Sequence, residues 1–253
     1  GRVPVVHPRL RTHAFFYDIT HRLFPGSHSS GFAALLSAHM KLAHGFGARL
    51  YTISETVRQQ LAETLNAEAG RIRVATPADS RLEQHAPVPV AGAGDRFILT
   101  VGITNARKNL ATLLKAHARL GGMQLVATGS AERIEALLQA SGTSAPVLNA
   151  GFVSPGQLRW LYRHASAFVF PSLGEGFGIP LLDADAAGCP VACSEIPVFR
   201  EVMGDAARYF DPHSPESMAD AIREALASPR TDGSIARRFT WETSARVLLD
   251  ALG

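Results

Sequence analysis

The chain has 253 residues, a formal charge of +3, 46% apolar and 19% charged residues, and only two cysteines. A composition of this kind buries a sizeable core without covalent staples, which excludes a disordered tail and a disulfide framework. The length fits one large domain or two modest ones, because single hydrophobic cores stop growing near roughly 250 residues.

In chain order, Ala14-Phe15-Phe16-Tyr17 and Leu50-Tyr51-Thr52-Ile53 read as strands, Phe32 to Gly45 and Glu55 to Leu65 as helices, and Ile72-Arg73-Val74 as a last short strand. These are too few elements for a complete doubly wound domain, so residues 1–90 are expected to form a partial front lobe. Pro87, Pro89, Gly92 and Gly94 punctuate residues 86–94, which read as a flexible linker and set the domain boundary. From Arg96 onward short apolar runs alternate with amphipathic stretches, the pattern of βαβ units around a parallel sheet. Strands are predicted at residues 97–101, 124–127, 147–153, 167–170, 191–193 and 207–210. Helices are predicted from Leu110, over residues 131–140, from Ser154-Pro155, over Ile179 to Ala187 and from Ser214-Pro215. The two Ser-Pro pairs read as N-caps with proline at the first helical position, and Gly188 reads as a C-terminal stop.

No apolar run reaches the ~20 residues that a membrane-spanning helix needs, and the N-terminus lacks a secretory layout, so a cytoplasmic protein is expected. Cys189 and Cys193 have no second pair with zinc spacing and read as buried thiols of a reducing compartment. Lys and Arg outnumber Asp and Glu by ten to six over residues 1–94, whereas residues 95–253 carry fifteen against sixteen. The basic front lobe could attract a phosphate-bearing acceptor or an anionic leaflet. No aromatic and basic platform accompanies the charge, which argues against nucleic acid. His7, His13, His21, His28, His39 and His44 crowd the front stretch without ligand spacing, so no metal site is expected. The stretch Phe32 to Phe46, with Leu35, Leu36, Met40 and Leu42, is expected to pack on the front sheet, with peripheral contact at the inner face of a membrane as the other placement.

In open α/β sheets, ligands sit beyond the carboxyl ends of the strands, which directs attention to the loops there. After Val101 comes Gly102-Ile103-Thr104-Asn105-Ala106-Arg107-Lys108-Asn109, which brings two adjacent cations to the start of a helix and invites an anion. After Phe170 comes Pro171-Ser172-Leu173-Gly174-Glu175-Gly176-Phe177-Gly178-Ile179-Pro180, whose glycines let backbone approach a ligand. Asp183 follows Glu175 by eight positions, a rise of up to ~12 Å if all of it were helical. Carboxylates so spaced around a helix start could accept from hydroxyl groups on either side of a diphosphate, the shape of a nucleotide diphospho-sugar.

The run PSLGEGFGIPLLDADAAGCPVACSEIPVFREVMGDAARYFDP resembles the donor-binding half of family 4 (group 1) glycosyltransferases, retaining enzymes of the two-domain GT-B fold. VGITNARKNLATLLKAHARL is similar to the family's segment holding a pyrophosphate-binding Arg/Lys pair, and GFVSPGQLRWLYRHASAFVFPS to the stretch that frames the base. FTWETSARVLLDAL resembles a terminal helix that returns to the front domain. The resemblance implies a GT-B-like α/β protein, with a Rossmann-type doubly wound parallel sheet in the C-terminal lobe and an incomplete α/β N-terminal lobe. It implies an acceptor-side lobe at residues 1–90, a donor-binding domain at 91–240 and a returning helix at 241–253. The family's front domain starts with a glycine-rich loop and further βα units that residues 1–90 do not supply, so either a fragment or a copy whose front has been cut by proteolysis is expected.

Carried onto these residues, the resemblance gives Arg107 and Lys108 to the diphosphate and the surroundings of Gly102, Gly151, Phe152 and Val153 to the nucleotide. Glu175 faces the donor sugar, Asp183 the ribose hydroxyls, and the N–H groups of Phe177, Gly178 and Ile179 the phosphates. The family usually carries Glu at both ends of the acidic motif, His where Tyr17 precedes Asp18, and Gly where Ala78 stands. The implied reaction moves a sugar from a GDP- or UDP-linked donor to a glycan or lipid-linked acceptor without metal or other cofactor, with Arg107, Lys108 and Glu175 as the catalytic group. The Arg-Lys-Asn form of the pair resembles mannosyltransferase-like members that build surface polysaccharide, which favours GDP. The alternative is a non-catalytic nucleotide-sugar binding module.

Overall fold

The computed structural model of the protein describes residues 12–24 and 29–250, so His7 and His28 lie outside the described residues. The chain divides into two compact units: Gly1–Pro77, Gly174–Phe177 and Thr240–Gly253 make the first, and Ala78–Leu173 with Gly178–Phe239 make the second.

The first unit opens with β1 (His13–Phe16), α1 (Thr20–Leu23), α2 (Ser30–Gly45), β2 (Arg49–Thr52), α3 (Glu55–Leu65) and β3 (Ile72–Val74). The three strands pair in parallel in the order β1-β2-β3, with His13 opposite Arg49 and Leu50 opposite Ile72. Strand alternation sends Ala14 and Phe16 into a core with Met40, Ala43, Leu50, Leu61 and Ile72. Ser54 caps α3 by accepting from the Val57 N–H at 3.1 Å, and Asn66 closes it in the left-handed region with φ of 50°. The expected packing of the whole Phe32 to Phe46 stretch needs correction. Met40 is buried and Leu36 half-buried, but Phe32, Leu35, Leu42 and Phe46 are exposed. Residues 32, 35 and 42 share one side of the helix, which adjoins the 40/43 side that meets the sheet, and Phe46 follows as the C-cap.

The second unit contains β4 (Phe97–Ile103), α4 (Leu110–His117), β5 (Gln124–Gly129), α5 (Ala131–Ser141), β6 (Val147–Gly151), α6 (Pro155–His164), β7 (Ala167–Phe170), α7 (Ile179–Ala186), β8 (Val191–Ser194), α8 (Pro197–Met203), β9 (Arg208–Phe210) and α9 (Pro215–Ala227). All six strands are parallel, in the order β6-β5-β4-β7-β8-β9. Helices cover both faces. Ile98, Leu125, Ala127, Val169 and Ala192 pack with residues of α4, α5 and α9 on one. On the other, Tyr162 meets Phe168 edge-on and Phe170 stacks on Phe199. Burial on both faces is why these strands read as unbroken apolar runs. The predicted strand at 97–101 runs on to Ile103, because backbone pairing with Gly129 resumes beyond a register shift. The one predicted at 147–153 stops at Gly151, whose φ of +60° leaves the extended region.

Residues 86–94 belong to the second unit, and the chain passes between units at Pro77/Ala78. Hydrogen bonds explain the placement. Val88 N–H donates to Gly156 O at 3.0 Å, Gly94 N–H to Gln124 Oε1 at 2.8 Å, and Gln124 Nε2 to Gly92 O at 2.9 Å. A last helix, α10 (Trp241–Leu249), belongs to the first unit, where Ser244 Oγ donates to Thr76 O. Cys189 and Cys193 are buried free thiols, and burial pushes Cys189 up to about 12 and Cys193 higher still. Among the described residues, no helix is long and apolar enough to cross a membrane.

Candidate active site

The six-stranded order reverses direction between β4 and β7: the chain moves outward to β5 and β6, then returns to the other side of β4. Connections diverge to opposite faces at such a reversal, leaving a crevice beyond the carboxyl ends of the two strands. The Arg107/Lys108 loop and the start of the glycine-rich loop border that point. They are tied together, since Leu173 N–H donates to Arg107 O at 2.9 Å. The side-chain amide of Asn109 donates to Pro171 O at 3.1 Å and to Pro212 O at 2.8 Å, joining the loops that follow β4, β7 and β9. Asn109 sits at φ 56°, between the short 3-10 turn Ala106–Lys108 and α4, in a conformation that asparagine tolerates better than most residues.

Lys108 projects over this junction. Its Nζ lies 5.1 Å from the centroid of the Phe170 ring at the end of β7. A Cβ built on Gly102, near the end of β4, would lie 3.9 Å from the same nitrogen. The ammonium therefore stands between the ends of the two strands that flank the reversal, with Arg107 half-buried beside it. Asn105 Oδ1 is buried in the same loop with no hydrogen-bond partner among the described residues, an uncommon state for a buried acceptor.

Helix α7 starts at the crevice. Gly178 is its N-cap at φ +112°, and a Cβ there would come within 3.0 Å of both the Leu181 and the Phe199 side chains. Glycine is required on both counts. Leu181 N–H turns back to Gly178 O at 2.8 Å, so the N–H groups of Gly178 and Ile179 lead the helix dipole. Asp183, one turn further in, is only 6% exposed. Its Oδ1 accepts from Ser80 N–H at 2.7 Å and its Oδ2 from Ser80 Oγ at 2.9 Å. Burial raises its pKa to about 6 against the pull of the two Ser80 bonds, with Asp79 and Glu83 adding to the rise. Asp183 also lines a cavity of about 450 Å3 with Arg159, Arg163 and Arg230. That cavity includes residues 186–188, just before β8, and so lies toward the amino ends of the strands.

The raised value at Asp183 has a definite sign. A carboxyl that binds its proton more tightly when folded contributes stability that is complete below about 3.8 and lost as pH rises through about 6. Full linkage across that window is on the order of 3 kcal/mol. Asp183→Asn keeps an acceptor for Ser80 N–H and removes the titration. Thermal unfolding from pH 7.5 to 5 is therefore expected to show wild type gaining stability relative to the variant, and parallel curves would contradict it.

Glu175 lies in the segment Gly174–Phe177, which belongs to the first unit. Ser54 Oγ, already the cap of α3, donates to Gly176 O at 2.7 Å in a buried bond. A Cβ on Gly176 would meet Tyr17 O at 2.2 Å, and one on Gly174 would meet the Phe24 ring at 2.3 Å. Backbone contacts thus set the course of the loop carrying Glu175, while Phe177 is buried. At the far side of the second unit's sheet, Phe152 follows β6 with 78% of its surface exposed, and Val153 is half-buried. Ser54, Ser80 and Asn109 are the residues that sequence reasoning misses. Ser54 and Asn109 precede helices, a local signal, but their loop partners have none. Among the described residues, no cluster of three or more His, Cys, Asp or Glu is placed to hold a metal ion.

Comparison with known proteins falls on the same elements. The chain is 26% identical over 261 residues to the O-antigen chain mannosyltransferase B of Escherichia coli, covering 93% of this chain and 68% of that protein. It is 29% identical over 183 residues to the O-antigen chain mannosyltransferase RfbU of Salmonella typhimurium, covering 70% of this chain and 51% of that protein. The chain thus spans about half to two thirds of these relatives. Among solved structures, Anabaena Alr3699/HepE in complex with UDP and glucose matches 96% of this chain and 71% of its own at 17% identity, with a TM-score of 0.74. Sucrose-phosphate synthase from Thermosynechococcus elongatus matches 94% of this chain and 66% of its own at 22% identity, with a TM-score of 0.73. These likenesses establish a fold shared with GT-B glycosyltransferases. The family model for glycosyl transferases group 1 matches residues 83–240, a span holding the six-stranded sheet, both loops of the crevice and α7, and the chain belongs to that family.

Proposed function

We propose that this chain is the donor-binding part, with a portion of the acceptor-side lobe, of a retaining glycosyltransferase. The reaction moves a sugar from a GDP- or UDP-linked donor to a hydroxyl of a glycan or lipid-linked acceptor during surface polysaccharide or glycolipid assembly. The carrying observation is the Lys108 ammonium over the ends of β4 and β7, beside Arg107 and the glycine-started helix α7. Two cations and a helix start in one crevice suit a diphosphate. The names of the mannosyltransferase relatives support mannose as the sugar, hence GDP as the favoured carrier. The UDP in one structural neighbour supports a nucleotide donor more generally.

In this reading the bond from the anomeric carbon to the β-phosphate oxygen breaks, and its electron pair leaves with the diphosphate. The acceptor oxygen bonds the same face of that carbon and passes its proton to the departing phosphate. Arg107 and Lys108, with the N–H groups of Phe177, Gly178 and Ile179, carry the growing negative charge, and Glu175 faces the positive charge on the sugar. Glu175 and Asp183 do not act as an acid and nucleophile pair, since Asp183 is given to the ribose. That role has a hydroxyl share the carboxylate with Ser80, which holds one bond on each oxygen. The adjacent cations do the work that a divalent ion does elsewhere, so the reading calls for no cofactor beyond the donor. Phe152 and Val153 lie at the base. The protein is read as cytoplasmic, touching the inner face of the membrane through the exposed apolar side of α2.

Thermal shift with UDP, GDP, ADP and their sugar forms tests the assignment, because a ligand selective for the folded state stabilises it by about 2.7 kcal/mol at one hundred times its Kd. A shift selective for one nucleoside diphosphate is expected. No shift with any of them would overturn the reading, and binding without sugar transfer or donor hydrolysis would make the chain a binding module.

A further inference from the structure

Strand alternation at β1 leaves His13, Phe15 and then Tyr17 on the side away from the core that holds Ala14 and Phe16. Their rings form a ladder. His13 stacks on Tyr51 with centroids 5.6 Å apart, Tyr51 on Phe15 at 6.2 Å and 7° between planes, and Phe15 meets Tyr17 at 4.9 Å and 40°. His13 Nδ1 and the Tyr51 hydroxyl share a hydrogen bond of 2.9 Å that fixes the inner end. The ladder runs from Tyr51, 1% exposed, to Tyr17, 67% exposed, so the outermost ring is held from behind and open in front. Such a ring loses little freedom when something packs on it.

Two further facts locate this ring. The Tyr17 carbonyl abuts Gly176, where a Cβ would lie 2.2 Å from it, so the backbone of Tyr17 adjoins the residue next to Glu175. Asp18 follows, and its Oδ1 accepts from Thr20 N–H at 2.8 Å and Thr20 Oγ1 at 2.6 Å, which pins the turn after β1. No hydrogen bond to Asp18 Oδ2 is found among the described residues. An open aromatic face beside a carboxylate suits a ligand with an apolar C–H face and a rim of hydroxyls. A lipid surface or protein partner would be met by a broader apolar patch without the carboxylate.

We propose that Tyr17 is the platform on which a pyranose ring of the acceptor packs, with Asp18 accepting from its hydroxyls. The assignment rests on the reading of Glu175 as the carboxylate at the transferring sugar, and it adds where the receiving sugar lies. Tyr17 orients the acceptor and takes no part in bond making.

Saturation-transfer NMR on the 253-residue chain with an α-linked mannobiose and with maltose tests it, alongside calorimetry with GDP and UDP. Wild type and Tyr17→Phe are expected to transfer saturation to ring C–H protons of at least one disaccharide. Tyr17→Ala and Tyr17→Leu are expected to lose that signal fivefold or more, with nucleotide affinity within twofold of wild type. Undiminished signal in both the Ala and Leu variants, or no signal from wild type with either disaccharide, would overturn the proposal while leaving the donor reading intact. A Tyr17-dependent signal in a chain that binds no nucleotide would support a saccharide platform and sink the donor reading instead.

Discussion

Replacing Lys108 by alanine is expected to weaken nucleoside diphosphate binding 10-fold to 100-fold and to lower turnover by 10²–10³, the loss typical of one pre-placed charge-stabilising donor. A unit charge ~4 Å from a phosphate oxygen contributes about 4 kcal/mol at an effective dielectric of ~20, before desolvation is subtracted. The Lys108 ammonium lies over the Phe170 ring rather than in open water, so part of its desolvation is already met in the free protein. The transition state puts more charge on the diphosphate than the ground state does, so turnover should suffer more than affinity. Arg107→Ala is expected to act in the same direction, through a planar donor pair instead of a point charge. Calorimetry with GDP and UDP and a transfer assay give both readings. Unchanged values for both variants would remove the phosphate assignment and, with it, the reason for calling this crevice a donor site.

The second unit was legible in the sequence because its strands are buried on both faces and bounded by turn residues. Phe97 to Val101, interrupted only by Thr100, and Ala167 to Phe170 announce themselves as apolar runs. The cation pair and the glycine loop were legible for a related reason: they are contiguous stretches following such strands. Tertiary anchoring is what the letters do not carry. Ser54 reaches Gly176 across 122 positions, and Ser80 reaches Asp183 and Asn109 reaches Pro212 across 103 each. No local pattern encodes a partner that distant. The stretch from Phe32 to Phe46 misleads for another reason. It is apolar on more than one side, so composition suggests burial all round, while only the side with Met40 and Ala43 meets the sheet. Prolines and glycines in residues 86–94 likewise suggest a free linker, although several of their backbone groups are hydrogen-bonded within the second unit.

Glu175→Gln is expected to lower turnover by 10²–10³ while changing donor affinity by less than about threefold, because it acts on charge that exists only in the transition state. Glutamine preserves the shape of the side chain and removes its charge, so the variant isolates electrostatics from packing. The location of the carboxylate is set by backbone anchors on its neighbour: Ser54 Oγ holds Gly176 O, and the Tyr17 carbonyl leaves no space for a side chain at that position. Gly176→Ala should therefore reproduce the kinetic split of Glu175→Gln by displacing the loop, even though the carboxylate itself is retained. Ser54→Ala should do so more weakly, since it deletes one buried hydrogen bond and one helix cap, each contributing about 1 kcal/mol. Donor affinity is the discriminating measurement. Its proposed cations and the N–H groups of Gly178 and Ile179 belong to the second unit, whereas Ser54, Glu175, Gly176 and Phe177 belong to the first. A fall in nucleotide affinity as large as the fall in turnover, in Glu175→Gln, would mark residue 175 as part of the binding scaffold and not as the group that meets the reacting sugar.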